Sequence, residues 1–242
     1  MLAKLSSAIE NLRARGHRVL GAEQQPHRGY RYQSFPNQAA FVAHPSKYMY
    51  AVNTSAKHDD FVSPCHADIE WYSEGKEADP LAGERVAAYV AAVTESLVTH
   101  LGVDPDTPVH VDDQLGRVPS GEQHFKNSYH VYWPEVVFEH NAAGCMRDFM
   151  VRVVTPTLGE LLFVDCPKTK KQHVCIQDSS IYSSNRLLRM PGCPKRGDPE
   201  PALPLLNGAV HSKAEVWQVM THVLHRSMLA PDQKVIGVDV IA

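Results

Sequence analysis

The spacing of apolar residues along the chain predicts amphipathic helices that alternate with strands. One helical face near the N-terminus carries Leu2, Leu5, Ile9 and Leu12. Gly16 ends that helix, and the polar segment 16–34 that follows is predicted to be a connector. A second apolar stripe, from Val86 to Leu101, predicts a core helix of about five turns that begins after Asp79-Pro80.

Alternating polar and apolar residues mark the strands. We predict strands at 47–52, 63–72, 109–113 and 126–138, and a hairpin in which 158–165 and 173–178 flank the turn PKTKK. Segments 142–154 and 212–228 are predicted to be helical. Because strands and helices alternate at mixed spacing, the pattern favours an α/β or α+β fold over a β-sandwich.

Composition describes an ordinary globular chain. Its 242 residues are 43% hydrophobic and 21% charged, which supports a real core and excludes a disordered protein. The formal net charge is -3, so the protein has no global positive field. Any surface that binds nucleic acid must therefore be local.

The cysteines and the apolar runs indicate the compartment. Five cysteines, an odd number without a CxxC pair, favour a reducing environment. Cys166, His173 and Cys175 could offer zinc ligands, but they flank a predicted hairpin tip, so we predict no zinc in this chain. No apolar run is long enough to cross a bilayer, and no signal peptide is evident. We expect an intracellular protein without a membrane partner.

Two short polar patterns on predicted strands carry candidate chemistry. Asp68 and Glu70 are two residues apart, so their carboxylates share a face and either repel each other or bind a cation. Lys126, Ser128 and His130 repeat this spacing on a later strand. Their side chains can all donate hydrogen bonds from one face, which suits the phosphates of a nucleotide.

The third pattern occupies residues 178–195. Asp178 opens it, and Arg186, Arg189 and Lys195 follow in a segment poor in acids. Cations beside a single carboxylate suit a polyphosphate bound next to a metal ion. If the segment were a straight strand, Arg186 and Arg189 would face opposite ways, and we assign Arg189 to the nucleotide.

Structural explanations of the same residues stay open: a polar strand edge, a structural histidine in a strand and a solvated basic loop. A Ser–His hydrolase is disfavoured, because Ser128 and His130 point in parallel and no G-x-S-x-G elbow is present. Asp112 and Asp113 form another acidic pair. Adjacent strand residues face opposite sides, so this pair is predicted to be a poorer joint metal ligand.

Taken together, the order D-x-E, K-x-S-x-H and D-(x)7-R-x-x-R with a distal Lys resembles the archaeo-eukaryotic primase superfamily, and most closely its PrimPol-like primase-polymerases. DIE, KNSYH and IYSSNRLLR are similar to the family's motifs, and the resemblance covers about residues 34–228. It implies an α+β primase fold with the active site in a cleft between two modules. We expect an N-terminal helix and connector at 1–33, a small N-terminal α/β module at 34–63 and an RRM-like catalytic module at 64–242.

The resemblance also implies roles for the motif residues. Asp68, Glu70 and Asp178 would be catalytic and would hold two divalent cations, Mn²⁺ or Mg²⁺. The residues expected to contact the incoming triphosphate are Lys126, Ser128, His130, Arg186, Arg189 and Lys195. The implied activity is template-dependent nucleotidyl transfer by a DNA primase or polymerase, in replication, priming or damage tolerance.

The implied partners are a single-stranded DNA template, a primer and dNTPs or NTPs. We expect a monomer that works with a helicase or a single-strand-binding protein, in the nucleus or mitochondrion of a eukaryote or otherwise in the cytoplasm. Two other functions stay open: a catalytically silent single-stranded-DNA-binding module of a replisome, and a metal-dependent nuclease.

The sequence departs from the family pattern in three places. Asn37 precedes Gln38 where the family often has Arg, and Cys193 and Pro194 stand where small hydroxyl residues are common. The family's downstream zinc-binding domain has no counterpart here, so we expect a catalytic core or a short member. Because priming in relatives can depend on that domain, de novo primer synthesis stays open beside polymerisation.

Overall fold

A computed structural model describes residues 4–26, 29–46, 48–114, 118, 123–190, 193, 205–206, 209–210, 215 and 223–237. Its helices are α1 (Leu5–Arg15), α2 (Gln38–Val42), α3 (Ala82–Leu101) and α4 (Met146–Asp148), which continues as a π-helical segment (Phe149–Val154). Its strands are β1 (Val19–Gln24), β2 (Tyr30–Phe35), β3 (Met49–Asn53), β4 (Phe61–Ser73), β5 (His110–Asp113), β6 (Phe125–Phe138), β7 (Phe163–Cys166), β8 (Lys171–Cys175), β9 (Arg186–Arg189), β10 (Leu205–Leu206), β11 (Ala209–Val210), β12 (Leu224–His225) and β13 (Val235–Ile236).

The N-terminal sheet is antiparallel, with strand order β2–β1–β3–β9. Helices α1 and α2 cover it through buried Leu12 and Phe41, which join one core cluster with residues of all four strands. The fourth strand comes from far along the chain, and its register sets Arg189 opposite Tyr50 and Arg186 opposite Asn53. The third polar pattern is thus built into this sheet.

The prediction of a connector at 16–34 is wrong, because this segment forms β1 and most of β2. β2 is an edge strand in the described sheet, and most of its side chains are only partly buried. An edge strand with one solvated face needs few apolar residues, so its polar sequence concealed it.

The central sheet has the order β11–β10–β5–β6–β4–β12, and β13 joins the end of β6 in parallel. Its two longest strands, β4 and β6, pair in antiparallel register along most of their length. Side chains alternate between the two faces of such a sheet. On one face Ala67, Ile69 and Trp71 are buried in a core with α3 and the helical segment after Cys145. The opposite face carries the polar patterns.

The structure is a mixed α+β fold, as predicted, and the predicted strands at β3, β4, β5 and β6 are confirmed. The predicted hairpin is confirmed around its turn, where β7 pairs with β8, but Glu160–Leu162 is a 3-10 helix and β8 ends at Cys175. Segment 142–154 is helical from Met146 onward, largely as a π-helix. The helix predicted at 212–228 is wrong at its end, where Leu224–His225 is a strand paired with β4. Most of its earlier part lies outside the described residues. No helix in the described part of the chain is long and apolar enough to cross a membrane.

We predict that Gly21→Ala lowers the free energy of unfolding by about 1–3 kcal/mol, the usual cost of overpacking a core. A Cβ at this position would lie 2.6 Å from Cε2 of Phe41 and 2.9 Å from Cε2 of Phe35, and both rings are buried. Gly83→Ala in α3 is the control, because a Cβ there meets nothing within 4 Å. Urea unfolding compares both variants with the wild type, and Gly83→Ala should be at least as stable as the wild type because Ala favours a helix. A Gly21→Ala protein as stable as the wild type would show that the two rings can move away freely.

Candidate functional site

The register of β4 against β6 brings the first two polar patterns together. Asp68 lies opposite His130, and Glu70 lies opposite Ser128. Lys126 lies opposite Tyr72 and continues the same face. Directly opposed residues in an antiparallel pair have neighbouring Cβ atoms, so two short motifs far apart in sequence form one polar surface.

Asp178 reaches this surface by backbone pairing with β4. The expectation that it ends a strand is wrong in detail, because β8 stops at Cys175. The chain then runs along the other edge of β4. There the backbone amide of Glu70 donates to the backbone carbonyl of Ile176 at 2.8 Å, and the backbone amide of Asp178 donates to the backbone carbonyl of Asp68 at 2.9 Å. Asp178 caps the following 3-10 turn by accepting a hydrogen bond from the Ser180 amide at 2.9 Å.

The two arginines of the third pattern lie on β9, the last strand in the order of the N-terminal sheet. They are three positions apart, yet both line the same cavity. A cavity that meets an edge strand from its side can receive side chains from both faces of that strand. The odd spacing therefore does not force Arg186 and Arg189 to serve different ligands.

One cavity of about 500 Å³ lies between the central sheet and the N-terminal sheet. Every predicted site residue that the structure describes lines it: Asp68, Glu70, Lys126, Ser128, His130, Asp178, Arg186 and Arg189. Lys195 falls outside the described residues. The cavity wall also includes Gln24, Tyr30, Tyr50 and Gln114, which sequence reasoning missed. Tyr30 and Gln24 were hidden because their segment was predicted to be a connector.

Charges of both signs face each other across this cavity. Lys126 forms an ion pair with Glu70, and a guanidinium nitrogen of Arg186 lies 3.9 Å from Oδ2 of Asp178. Arg186 also donates to the hydroxyl of Ser180 at 3.2 Å. The cations of the second and third patterns thus neutralise two of the three predicted catalytic carboxylates.

The third carboxylate, Asp68, is the least well compensated. Burial raises its pKa from the ordinary 3.8 to about 7, and the nearby charges of Glu70 and Asp178 add to the rise, which Lys126 and Arg189 partly offset. Its Oδ1 atom is buried and has no hydrogen-bond partner within the described part of the chain. A buried carboxylate oxygen of this kind is a suitable ligand for a cation.

The donors therefore fit a hard divalent cation in their chemistry, since Asp68, Glu70 and Asp178 offer only oxygen ligands. As they stand, however, no three His, Cys, Asp or Glu side chains among the described residues form a group ready to hold a metal ion.

A second buried carboxylate lies behind the cavity. Asp112, on β5, is 1% exposed, and burial raises its pKa from 3.8 to about 7, while the Arg189 guanidinium partly offsets the rise. Its Oδ2 atom is 3.8 Å from Nδ1 of His130. On the other side of the ring, Nε2 is 3.9 Å from Oδ2 of Asp68. Sequence reasoning gave Asp112 no role, because it judged the pair with Asp113 only as joint metal ligands.

No family model matches this sequence, and no curated protein is significantly similar to it. The cavity and the three motifs around it are therefore the features that bear on function.

We predict that Asp112→Asn gains stability relative to the wild type as pH rises. The folded state raises the pKa of Asp112 from 3.8 to about 7, so its contribution to stability is complete below pH 4 and is lost as pH rises through 7. A neutral Asn does not lose stability in this way as pH rises. A shift of three pKa units corresponds to a difference in the free energy of unfolding of about 4 kcal/mol at most.

Urea unfolding in chelator-containing buffer between pH 4 and 8 measures the gain. Asp106→Asn, at an exposed position, is the matched control and should follow the wild-type curve. A constant difference between Asp112→Asn and the wild type over this range would show that Asp112 does not titrate abnormally.

Proposed function

We propose that this chain is a template-dependent nucleotidyltransferase of the primase-polymerase type, which joins nucleoside triphosphates to the 3′-hydroxyl of a primer on single-stranded DNA. The observation that carries the proposal is the meeting of three separate motifs, from Asp68 to Arg189, around one cavity. Carboxylates and cations alternate there in the manner that a metal-bound triphosphate requires. The archaeo-eukaryotic primase fold and its division into two modules are part of this proposal.

The carboxylates would have one task and the cations another. Asp68, Glu70 and Asp178 would hold two divalent cations, which when bound would lower the pKa of the 3′-hydroxyl and screen the leaving pyrophosphate. Arg186, Arg189 and His130 would fix the triphosphate so that its α-phosphate lies in line with the primer end. These side chains are already held by the two sheets, so little reorganisation is needed at the moment of reaction.

Lys126 would change partners during this cycle. In the present arrangement it neutralises Glu70. With a cation held at Glu70, the ammonium group of Lys126 would be free to donate to a phosphate oxygen. The pairing of Asp178 with Arg186 would loosen for the same reason. The ion pairs thus keep the carboxylates compensated until the nucleotide and its cations arrive.

Primer extension tests the proposal directly. Purified protein is incubated with a primed single-stranded template, Mg²⁺ or Mn²⁺, and either dNTPs or NTPs, while product length and pyrophosphate release are followed. Elongation with one pyrophosphate per added nucleotide is the expected result. Shortening of the DNA without nucleotides would favour a metal-dependent nuclease, and binding without turnover would favour a silent DNA-binding module.

We predict that Asp68→Asn abolishes primer extension without destabilising the protein. The substitution removes a cation ligand, and it also removes a buried charge whose pKa is raised to about 7. Extension rates should fall by at least about 1000-fold, in line with a loss of metal-dependent catalysis. Unfolding measurements at pH 8 should give an equal or higher free energy.

Glu135→Gln is the control, because Glu135 is exposed on β6 and does not line the cavity. It should extend primers like the wild type. An Asp68→Asn protein that remains active, or that unfolds far more easily than the wild type, would assign Asp68 a structural role.

We predict that Arg189→Ala raises the nucleotide KM by about 10- to 150-fold, which corresponds to the roughly 1.5–3 kcal/mol of a hydrogen bond to a charged group. Arg189→Lys should recover part of the loss, because a point charge lacks the bidentate fork of a guanidinium. Arg152→Ala is the control, since that side chain is 76% exposed and pairs only loosely with Asp148. Steady-state extension against nucleotide concentration gives KM, and an unchanged value in Arg189→Ala would move the role to Arg186.

A further inference from the structure

Asp112 is close to the cavity but does not line it. It is the cross-strand neighbour of His130, on β5, which lies next to β6 in the central sheet. With 1% of its surface exposed, its carboxylate has no access to a ligand in the cavity. Asp112 can therefore influence a bound molecule only through the long-range effect of its charge or through the side chains around it.

Those side chains belong to the cavity wall. Gln114, which lines the cavity, donates a hydrogen bond to Oδ2 of Asp112, and the same oxygen lies 3.8 Å from Nδ1 of His130. Arg189 is close enough for its guanidinium to act electrostatically on the carboxyl. The hydroxyl of Tyr132 is 3.4 Å from the same ring nitrogen. Two wall residues, Gln114 and His130, thus lie against one buried carboxyl group.

The arrangement fixes which edge of the imidazole faces outward. Asp112, His130 and Asp68 lie in one row across β5, β6 and β4. Nδ1 lies 3.8 Å from Oδ2 of Asp112, whereas Nε2 lies 3.9 Å from Oδ2 of Asp68, which lines the cavity. The Nε2 edge is therefore on the side of the cavity-lining carboxylate. A third group that holds a histidine in one orientation is a common feature of functional sites.

The negative charge of Asp112, taken alone, would weaken the binding of an anion in the cavity. A buried carboxylate is costly to desolvate, and its negative charge repels a polyphosphate bound nearby. If Asp112 acted only through its charge, its removal would strengthen the binding of an anion. If it acts by orienting the wall, its removal would weaken that binding. The sign of the change therefore separates the two roles.

We propose that Asp112 is a positioning residue that holds His130 in the orientation needed to bind a polyphosphate. The ligand class rests on the proposed function, whereas the orientation of the ring does not. Asp112 touches no ligand itself.

The test compares wild type, Asp112→Asn and Asp113→Asn at pH 8, above the pKa of about 7 that burial gives Asp112. Asp113 is the next residue on β5 and faces the other side of the strand, so its substitution removes the same charge without touching His130. Calorimetry measures the dissociation constants for inorganic tripolyphosphate and for dATP with Mg²⁺.

The expected result is a weakening of about tenfold in Asp112→Asn, the usual cost of losing a partner that orients a ligand-binding side chain. Asp113→Asn should bind with unchanged or slightly higher affinity. Equal or tighter binding by Asp112→Asn would overturn the inference. A wild-type protein that binds neither probe would instead overturn the proposed function and the ligand class that depends on it.

A second measurement addresses the ring without any ligand. Long-range ¹H–¹⁵N spectra of the His130 imidazole should change in Asp112→Asn and stay as in the wild type in Asp113→Asn. Identical His130 spectra in all three proteins would refute positioning, even where binding is absent. If Asp112→Asn does not fold, Asp112→Ala, a small uncharged substitution, replaces it with the same expectations.

Discussion

The antiparallel register of β4 against β6 is the constraint on which the rest of the structure depends. It sets Asp68 against His130 and Glu70 against Ser128, and the same alternation sends Ala67, Ile69 and Trp71 into the core beneath α3. A slip by one residue would exchange the two faces, burying carboxylates and exposing the apolar side chains. The hydrophobic effect that fixes the core therefore also fixes the polar surface. Here the stability of the fold and the geometry of the site are determined by the same pairing.

That polar surface is assembled at an electrostatic cost. Burial raises the pKa values of both Asp68 and Asp112 to about 7, so the folded protein holds two carboxyl groups where ionisation is unfavourable. Cations of the same cavity, Lys126 and Arg186, compensate the neighbouring carboxylates only in part of the site. Perturbed acids that gather in a cleft are typical of binding and catalytic sites, because packing alone gives no reason to keep them.

The sequence was informative where a local pattern decides the outcome. α3 and the paired strands β4 and β6 follow from apolar periodicity, and their shared polar face follows from two-residue spacing. β2 was missed because a polar edge strand lacks a clear pattern, and with it Tyr30 was missed as a wall residue. β1, an inner strand with only three buried residues, was absorbed into the same predicted connector. The placement of β9 beside β3 depends on long-range pairing, which spacing cannot reveal. Asp112 was undervalued for the same reason, since its neighbour across the sheet is distant in sequence.

The position of β9 has a consequence for folding during synthesis on the ribosome. β3 is buried at every residue, and one of its two edges is covered by Arg186–Arg189. Until that late segment has been synthesised, the nascent N-terminal sheet presents an apolar strand with open backbone groups, the kind of edge that recruits other chains. The strand that closes this edge also carries both cavity arginines. Completion of the sheet and completion of the cavity wall are therefore the same event in time, and a chain interrupted before Arg186 would have both an open strand edge and an incomplete cavity.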